Sequence, residues 1–412
     1  MSTTVKSKYF FIIFFLIITC YCPPIFSYCE DYFDALDHNA RRSVACPLVK
    51  DDLSRYSKRD DDDELKIKVS RFQCDNATEE TCKNVRKTFD EAAKVISETF
   101  ILKSTINLDV NFTNFCISKP SLCDVQGGKR VVIGGARSAR NMLLLDDDDV
   151  ARLYPQSLVK QFEFQKHPEF SSIDIIASFN SIVDWYFPSQ NTPIRSKQRD
   201  MLYVVLHELM HGMGFFTLWG DFLVSDDPKD VLITTRPDII KDNNQTVFNG
   251  FKEAAFDRLL IFNRDQTRLT KVSEELNQFA KAGTRFKSDV DLIRKFLDSK
   301  QVNVARDMTK ITTTPETISS FPAPSEKVIL ETSIKPFQGG ASMTHVDEKT
   351  YLNTPDFLMT FLPVPGKTLE ELIAEVGEEH LEKAYRTKIV RNAENAIFGI
   401  ISQFRIFRIF II

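Results

Sequence analysis

The 412-residue chain carries 53 Lys and Arg against 57 Asp and Glu, which gives a formal charge of −4 at pH 7. This balance provides no broad basic surface, and we therefore expect no nucleic-acid partner. With 43% hydrophobic and 27% charged residues, the chain can bury a substantial core. Its length fits one large domain with an insertion, or two subdomains.

Residues 1–27 have the features of a cleaved signal peptide. Lys6 and Lys8 precede an apolar run over residues 9–18, which is too short to span a bilayer comfortably, and Pro23 follows soon after. An uncleaved anchor is the alternative. We therefore predict a secreted, extracellular protein without firm membrane association.

Cysteines and glycosylation motifs also indicate export. An even number of cysteines beyond residue 27 predicts three disulfides, and the short spacings favour two local pairs, Cys74–Cys82 and Cys116–Cys123, with Cys29 and Cys46 remaining. Three Asn-X-Thr triplets are candidate glycosylation sites: Asn76, Asn111 and Asn244.

The segment 28–59 ends in the dibasic pair Lys58-Arg59, and we interpret it as a possible pro-segment. N-terminal sequencing of the secreted protein tests this hypothesis, because a start well before residue 58 contradicts it. Two acidic runs, Asp60–Asp63 and Asp146–Asp149, lack EF-hand spacing and are interpreted as solvated loops instead of calcium sites.

Hydrophobic periodicity predicts alternating elements in the N-terminal subdomain, residues 60–220. Apolar residues alternate with polar ones over 65–69 and again over 106–112, which is typical of half-buried strands. One apolar face over 85–100 predicts a helix. Further strands are expected at 131–133 and 173–179, with Gly134-Gly135 as a turn.

A buried helix capped by Ser196 is expected next, and it carries the motif His207-Glu208-Leu209-Met210-His211. On a helix the two histidines lie on one face at i and i+4, where both imidazoles can bind one zinc ion. Glu208 can accept the proton of a water activated by that metal. Gly214 gives the backbone freedom to end the helix.

A catalytic zinc site needs a third protein ligand and one open position. The HExxHxxGxxH pattern would place that ligand ten residues after His207, where this chain has Thr217. Among the other histidines, His345 differs by its setting, between a Gly-Gly turn and a Leu-Met pair that ends at Met359. Its setting singles out His345, and Asp347 beside it can orient that ring or face solvent.

This combination of an HExxHxxGF motif, a distant histidine and a Leu-Met pair resembles the leishmanolysin-type metzincins and related secreted metalloproteases. The resemblance covers about 199–220 and 339–360 and is weak elsewhere. It implies an α+β zincin fold, with a mixed sheet and a central active-site helix. It implies His207, His211 and His345 as zinc ligands, Glu208 as general base and Met359 as the residue of the Met-turn.

The remaining chain divides by composition. Residues 221–338 form the expected insertion, largely helical, with amphipathic stretches near 252–261 and 288–299. Residues 339–395 form the C-terminal subdomain with the third ligand. Residues 396–412 form an apolar tail whose role the sequence leaves open.

We therefore expect a secreted, zinc-dependent endopeptidase whose partner is a protein or peptide substrate. The strand over 173–179 is a candidate for pairing with that peptide, or a plain core strand. Tyr351 is a candidate phenol for stabilising the oxyanion. Two alternatives stay open: a zincin-fold surface or host-interaction protein that binds without cutting, and a hydrolase of non-peptide substrates. The oligomeric state cannot be predicted from the sequence.

Overall fold

The computed structural model describes ten ranges of the chain: 28–50, 65–100, 102–123, 131–162, 164, 166–190, 192–221, 231–234, 237–321 and 327–384. Four sequence features lie outside these residues: the expected signal peptide, Lys58-Arg59, the run Asp60–Asp63 and the apolar tail.

Strands and helices alternate through the described residues, which confirms the predicted α+β class. The strands are β1 (Tyr28–Tyr32), β2 (Arg41–Ala45), β3 (Leu48–Lys50), β4 (Ile67–Cys74), β5 (Ile106–Thr113), β6 (Gly134–Ser138), β7 (Arg140–Leu145), β8 (Ala151–Pro155), β9 (Lys166–Pro168), β10 (Ile175–Asn180), β11 (Trp185–Tyr186), β12 (Arg199–Asp200), β13 (Trp219–Asp221), β14 (Leu232–Thr234), β15 (Pro237–Asp242), β16 (Gln245–Phe251), β17 (Glu253–Ala254), β18 (Leu260–Phe262), β19 (Thr284–Phe286), β20 (Ile318–Ser320) and β21 (Val328–Ile329). The helices are α1 (Glu79–Thr99), α2 (Phe115–Ser118), α3 (Gln156–Val159), α4 (Met201–Met213), α5 (Thr270–Asn277), α6 (Asp289–Leu297), α7 (Gln301–Thr312), α8 (Glu348–Tyr351) and α9 (Leu369–Ala384).

The sheet that positions the site has four strands in the order β4-β5-β10-β6. The strands β4, β5 and β10 run parallel, whereas β6 pairs antiparallel with β10 and forms the edge. The helix α1 connects β4 to β5 and buries its apolar face, including Phe89 and Ile96. The predicted strands near 65–69, 106–112 and 173–179 and the predicted helix over 85–100 are therefore confirmed.

Two expectations about this sheet were wrong. Residues 131–133 lie outside any strand, and the strand begins at Gly134, where a turn was expected. A Cβ atom at Gly134 would lie 2.9 Å from the Phe179 ring, so a glycine allows the close approach of β6 to β10. Of the two interpretations of 173–179, a peptide-pairing edge and a plain core strand, the core strand is confirmed, because β10 has a partner on each side.

Helix α4 lies against β6 and β10, and all its residues except His211 are buried. The expected cap at Ser196 was wrong, since the helix begins after Asp200. One carboxylate oxygen of Asp200 accepts the amide of Leu202 at 2.8 Å, and the other accepts the amide of Leu369 at 2.7 Å. Asp200 thereby stabilises the start of α4 and fixes the start of α9 beside it.

The N-terminal segment is part of the fold. Strand β1 pairs with β2 on one side and with β7 on the other, in a five-stranded sheet. The disulfide Cys29–Cys46 closes this segment on itself. The two predicted local disulfides, Cys74–Cys82 and Cys116–Cys123, are also present.

The insertion 221–338 contains strands and helices, so the expectation of a largely helical region was wrong. The stretch 252–261, expected as an amphipathic helix, contains β17, a 3-10 turn over Phe256–Leu259 and the start of β18. Strand β18 pairs with β20, and short apolar runs of this kind do not distinguish strand from helix by period alone. The helix expected near 288–299 is confirmed as α6.

Ion pairs link the insertion to the N-terminal half. Arg152 is fully buried, and its guanidinium group donates to Glu253 at 2.8 Å and to Asp146 and Asp148 at 2.7 Å. The hydrogen bonds from Arg152 lower the pKa of Asp148 to about 2. Arg258 contacts Asp146 as well. Part of the run Asp146–Asp149 therefore binds arginines, where a solvated loop was expected.

Within the described part of the chain, no helix is both long and apolar enough to cross a membrane.

We expect Arg152→Met to lower the free energy of unfolding by about 3–5 kcal/mol, because it leaves the buried Glu253 without its counter-charge. Chemical denaturation at neutral pH measures this change. Lys271→Met is the control, since it removes only an exposed pair with Glu274 and should have little effect. Equal losses for both variants would contradict the assignment.

Candidate metal centre

Three histidine side chains meet at one point beside helix α4. The Nε2 atoms of His207 and His211 lie 3.2 Å apart, and that of His345 lies 3.1 Å and 3.3 Å from them. His207 and His345 are buried, and His211 is partly exposed. The predicted third histidine is thus brought to the helix pair from 134 positions away.

The opposite nitrogen of each ring faces a backbone carbonyl. The Nδ1 atom of His207 lies 2.7 Å from the oxygen of Leu358, and that of His211 lies 2.8 Å from the oxygen of Phe215. For His345 the carbonyl belongs to Ala341, at 3.0 Å. Since a carbonyl only accepts, each Nδ1 carries the proton and donates it, and each Nε2 presents a lone pair.

Three lone pairs that converge within 3.3 Å repel one another unless a cation lies between them. Tetrahedral zinc holds nitrogen ligands at about 2.0–2.1 Å, which places those ligands about 3.3–3.4 Å from one another. The observed separations are close to that value. The three histidines can therefore hold a metal ion.

Burial also keeps these rings in the form that binds metal. It lowers the pKa of His207 to about 3 and that of His211 to about 4, and it lowers the pKa of His345 well below its usual value. Each imidazole is therefore neutral near pH 7, as a ligand must be.

Glu208 lies on the same helix with its carboxylate directed at the edge strand. Its Oε2 atom accepts the amide of Ala136 at 3.1 Å. Burial raises the pKa of Glu208 to about 8, and the hydrogen bond from Ala136 partly opposes that shift. A carboxyl group with a pKa near neutrality can both accept and release a proton.

The turn Phe357–Met359 packs against α4 through two contacts besides that of His207. The Tyr203 hydroxyl lies 3.5 Å from the oxygen of Phe357, and the two rings meet edge to face at 5.7 Å. Met359 is buried, and its carbonyl accepts the amide of Val346, the residue after His345. The expected Met-turn residue therefore lies on the segment that connects the third histidine to the helix.

Asp347, the candidate for orienting His345, and Tyr351, the candidate phenol for the oxyanion, each bond to backbone amides away from the three histidines. Asp347 begins helix α8, where its Oδ1 atom accepts the amide of Thr350 at 2.8 Å, whereas His345 is held by Ala341. The Tyr351 hydroxyl accepts the amide of Ile329 at 3.0 Å.

Thr217 occupies the position that carries the third histidine in the shorter motif. Its hydroxyl donates to the carboxylate of Asp257, which also accepts the amides of Leu218 and Ala254. Burial raises the pKa of Asp257 to about 7, with the charge of Glu253 adding to the shift. Asp257, a residue of the insertion, thus fixes the backbone at Thr217 and Leu218, just after α4. No motif in the sequence indicated this role.

The histidines and Glu208 line an open cleft of about 1140 Å³. Its walls include the N-terminal segment between Tyr32 and Arg41, strand β6 with the residues 131–133 before it, the residues 183–184 and 216–220, the turn 338–340, and the residues 361–363.

The three candidate glycosylation sites differ in exposure. Asn76 and Asn244 lie exposed with φ angles of 59° and 61°, as turn residues do, whereas Asn111 lies half-buried within β5.

Comparison with known proteins identifies a family and a relative. The family model described as SPBPB7E8-like matches residues 25–384. The uncharacterized protein PB7E8.01 of Schizosaccharomyces pombe is 27% identical over 363 residues, which cover 82% of this chain and 62% of the relative. The chain thus spans less than two thirds of that relative's length. No solved structure matches this chain.

We expect the purified protein to bind one equivalent of zinc, and His345→Ala to weaken binding strongly by removing one of three ligands. Competition with a chromophoric chelator measures the affinity. His167→Ala is the control, because that histidine is buried outside the site against Phe170 and should leave the affinity unchanged. Unchanged zinc affinity in His345→Ala would remove the basis for a three-histidine site.

Proposed function

The chain belongs to the SPBPB7E8-like family, and from the geometry of its three-histidine site we propose that it is a zinc-dependent metalloendopeptidase. The observation that supports this most is the convergence of three Nε2 lone pairs in a cleft beside Glu208. Three nitrogen ligands leave a fourth position open for water or substrate, as catalytic zinc sites do.

The donor set favours zinc over harder cations. Magnesium and calcium prefer oxygen ligands, whereas His207, His211 and His345 offer only imidazole nitrogen. When bound, zinc would supply a Lewis acid that activates a water molecule and polarises the carbonyl under attack.

Glu208 acts as the general base in this proposal. Its carboxylate takes a proton from the attacking water and then delivers it to the departing amine, so that the peptide bond breaks without releasing a free amide anion. The charge of a bound metal ion would favour the charged form of Glu208 and so oppose the rise in its pKa that burial causes. The amide of Ala136 keeps the carboxylate directed into the cleft.

The edge strand supports a peptide substrate. In an antiparallel pair, alternate residues direct both backbone groups to the same side. The amide of Ala136 points away from β10 and donates to Glu208. By contrast, the oxygen of Ile133 and the amide of Ala139 point to the β10 side, where they bond with Asn180 and Asp174. Gly134, Ala136 and Ser138 therefore direct their backbone groups toward the cleft, where an extended peptide can pair with those groups other than the Ala136 amide, which Glu208 already accepts.

We also propose that the fold is metzincin-like, because its elements are arranged as that fold requires. A mixed sheet with an antiparallel edge strand lies over the helix α4, and a turn containing Met359 packs near the histidines. In this proposal Met359 is the Met-turn residue, and its turn fixes His207 through the carbonyl of Leu358.

The three disulfides are compatible with an extracellular protein, since such bonds persist in oxidising compartments. We propose that the protein is secreted and that its partner is a protein or peptide substrate.

We expect Glu208→Gln to retain zinc and to lower kcat by about 10²–10⁴-fold, because the glutamine amide cannot accept the water proton. Cleavage of a mixed peptide pool by the zinc-loaded protein, followed by mass spectrometry, measures the effect. Glu274→Gln, on the exposed face of α5, is the matched control. Equal cleavage by wild type and Glu208→Gln would point to a contaminating protease. No cleavage by either, with zinc bound, would contradict the peptidase and favour a binding protein or a non-peptide hydrolase.

A further inference from the structure

The N-terminal loop, defined here as residues 34–38, lies on the edge strand of the cleft. We propose that this loop forms one wall of the substrate-binding site, and that Leu36 selects the substrate side chain that lies opposite Gly135. The proposal deepens the proposed function, because it rests on a peptide pairing with β6.

The loop contacts β6 directly. A Cβ atom at Gly135 would lie 2.5 Å from the Cδ2 atom of Leu36, so the leucine side chain occupies the space that a side chain at this position would fill. The Nε atom of Arg137 donates to the oxygen of Ala35 at 3.0 Å. Leu36 is only half-buried and lines the cleft.

Several contacts hold the loop in place. The amide of Tyr32 donates to the oxygen of Ala139 at 2.8 Å, directly after β6. Asp34 forms an ion pair with Lys119, and its Oδ1 atom accepts the amide of Leu36 at 2.9 Å. Leu36 thus has a fixed position relative to the strand.

Beneath the loop lies a small apolar cluster that anchors it to the outer face of the sheet. Ala35 packs there with Ile173 and Ile176, and Leu36 lies against the same cluster. The loop is therefore a packed element of the sheet and not a surface tail.

A paired peptide would meet Leu36 at one residue. Side chains alternate between the faces of a strand, and residues directly opposite each other share a face. Gly134 faces the Phe179 ring on one side of the sheet, whereas Gly135 faces Leu36 on the other. The substrate residue opposite Gly135 therefore projects toward Leu36, while its two neighbours project away.

The chemistry of this position favours an apolar substrate side chain. The methyl groups of Leu36 offer no hydrogen bond to a polar group. Arg137, on the same face, already donates to the oxygen of Ala35. A charged substrate residue would lose water beside these methyl groups without gaining a hydrogen bond from them.

The N-terminal residues 28–50 are not a removable pro-segment in this proposal. The loop follows β1, which pairs with both β2 and β7, and β3 pairs with β9. Residues 28–50 thus belong to the folded unit that forms the cleft, and they have to stay in place for Leu36 to act.

The test uses a randomised peptide library and two readouts. Cleavage by the zinc-loaded wild type, Leu36→Ala and Leu48→Ala gives the preference at each position around the scissile bond. Retention of peptides on the same leucine variants made in Glu208→Gln gives binding without cleavage. Leu48 is the matched control, because it lies on the same segment, exposed, and does not line the cleft.

We expect Leu36→Ala to change the preference at a single substrate position by about tenfold, as a change of pocket size does, and Leu48→Ala to change none. A uniform loss at all positions, or an unchanged profile, would overturn the inference, since a purely structural leucine has no positional signature. Failure of the Glu208→Gln protein to retain any peptide would overturn it as well. Retention that depends on Leu36 without cleavage by the wild type would instead contradict only the peptidase.

Discussion

The convergence of three histidine rings at one point is the constraint that the packing around helix α4 has to satisfy. Three Nε2 atoms within 3.3 Å of one another can hold a metal ion between them, and each ring is oriented by a backbone carbonyl behind it. Those carbonyls come from Leu358, Phe215 and Ala341, three separate parts of the chain. The site is therefore only as well ordered as the packing that brings these segments together.

The chain between the second and third histidines is held to the helix that carries the first two. Asp257 fixes the backbone after α4 through Thr217 and Leu218. At the far end, the amide of Glu331 donates to the oxygen of His345, which joins the end of the insertion to the third histidine. A long insertion is tolerated because the entropy of closing a loop rises slowly with its length.

Sequence periodicity was sufficient where one face of an element is buried. It placed α1, β5 and β10 correctly, because those elements carry a clear 3.6-residue or two-residue repeat. It failed at 252–261, where short strands pair across the insertion, and it failed at the edge strand. Strand β6 begins with two glycines, and in the sequence a glycine pair predicts a turn. Only the structure shows that Phe179 and Leu36 lie against them and leave no room for a side chain.

By itself, the sequence predicted the α+β class, favoured the two local disulfides, and identified the two histidines and the glutamate of the HExxH motif. The HExxH spacing places two histidines and a glutamate on one helix whatever surrounds them, because the helical repeat is a local property. Only the tertiary structure decided which nitrogen of each ring is free, which strand forms the edge, and that Leu36 covers Gly135. Backbone carbonyls and strand edges are available at nearly every residue, so packing between distant segments selects which of them form the site.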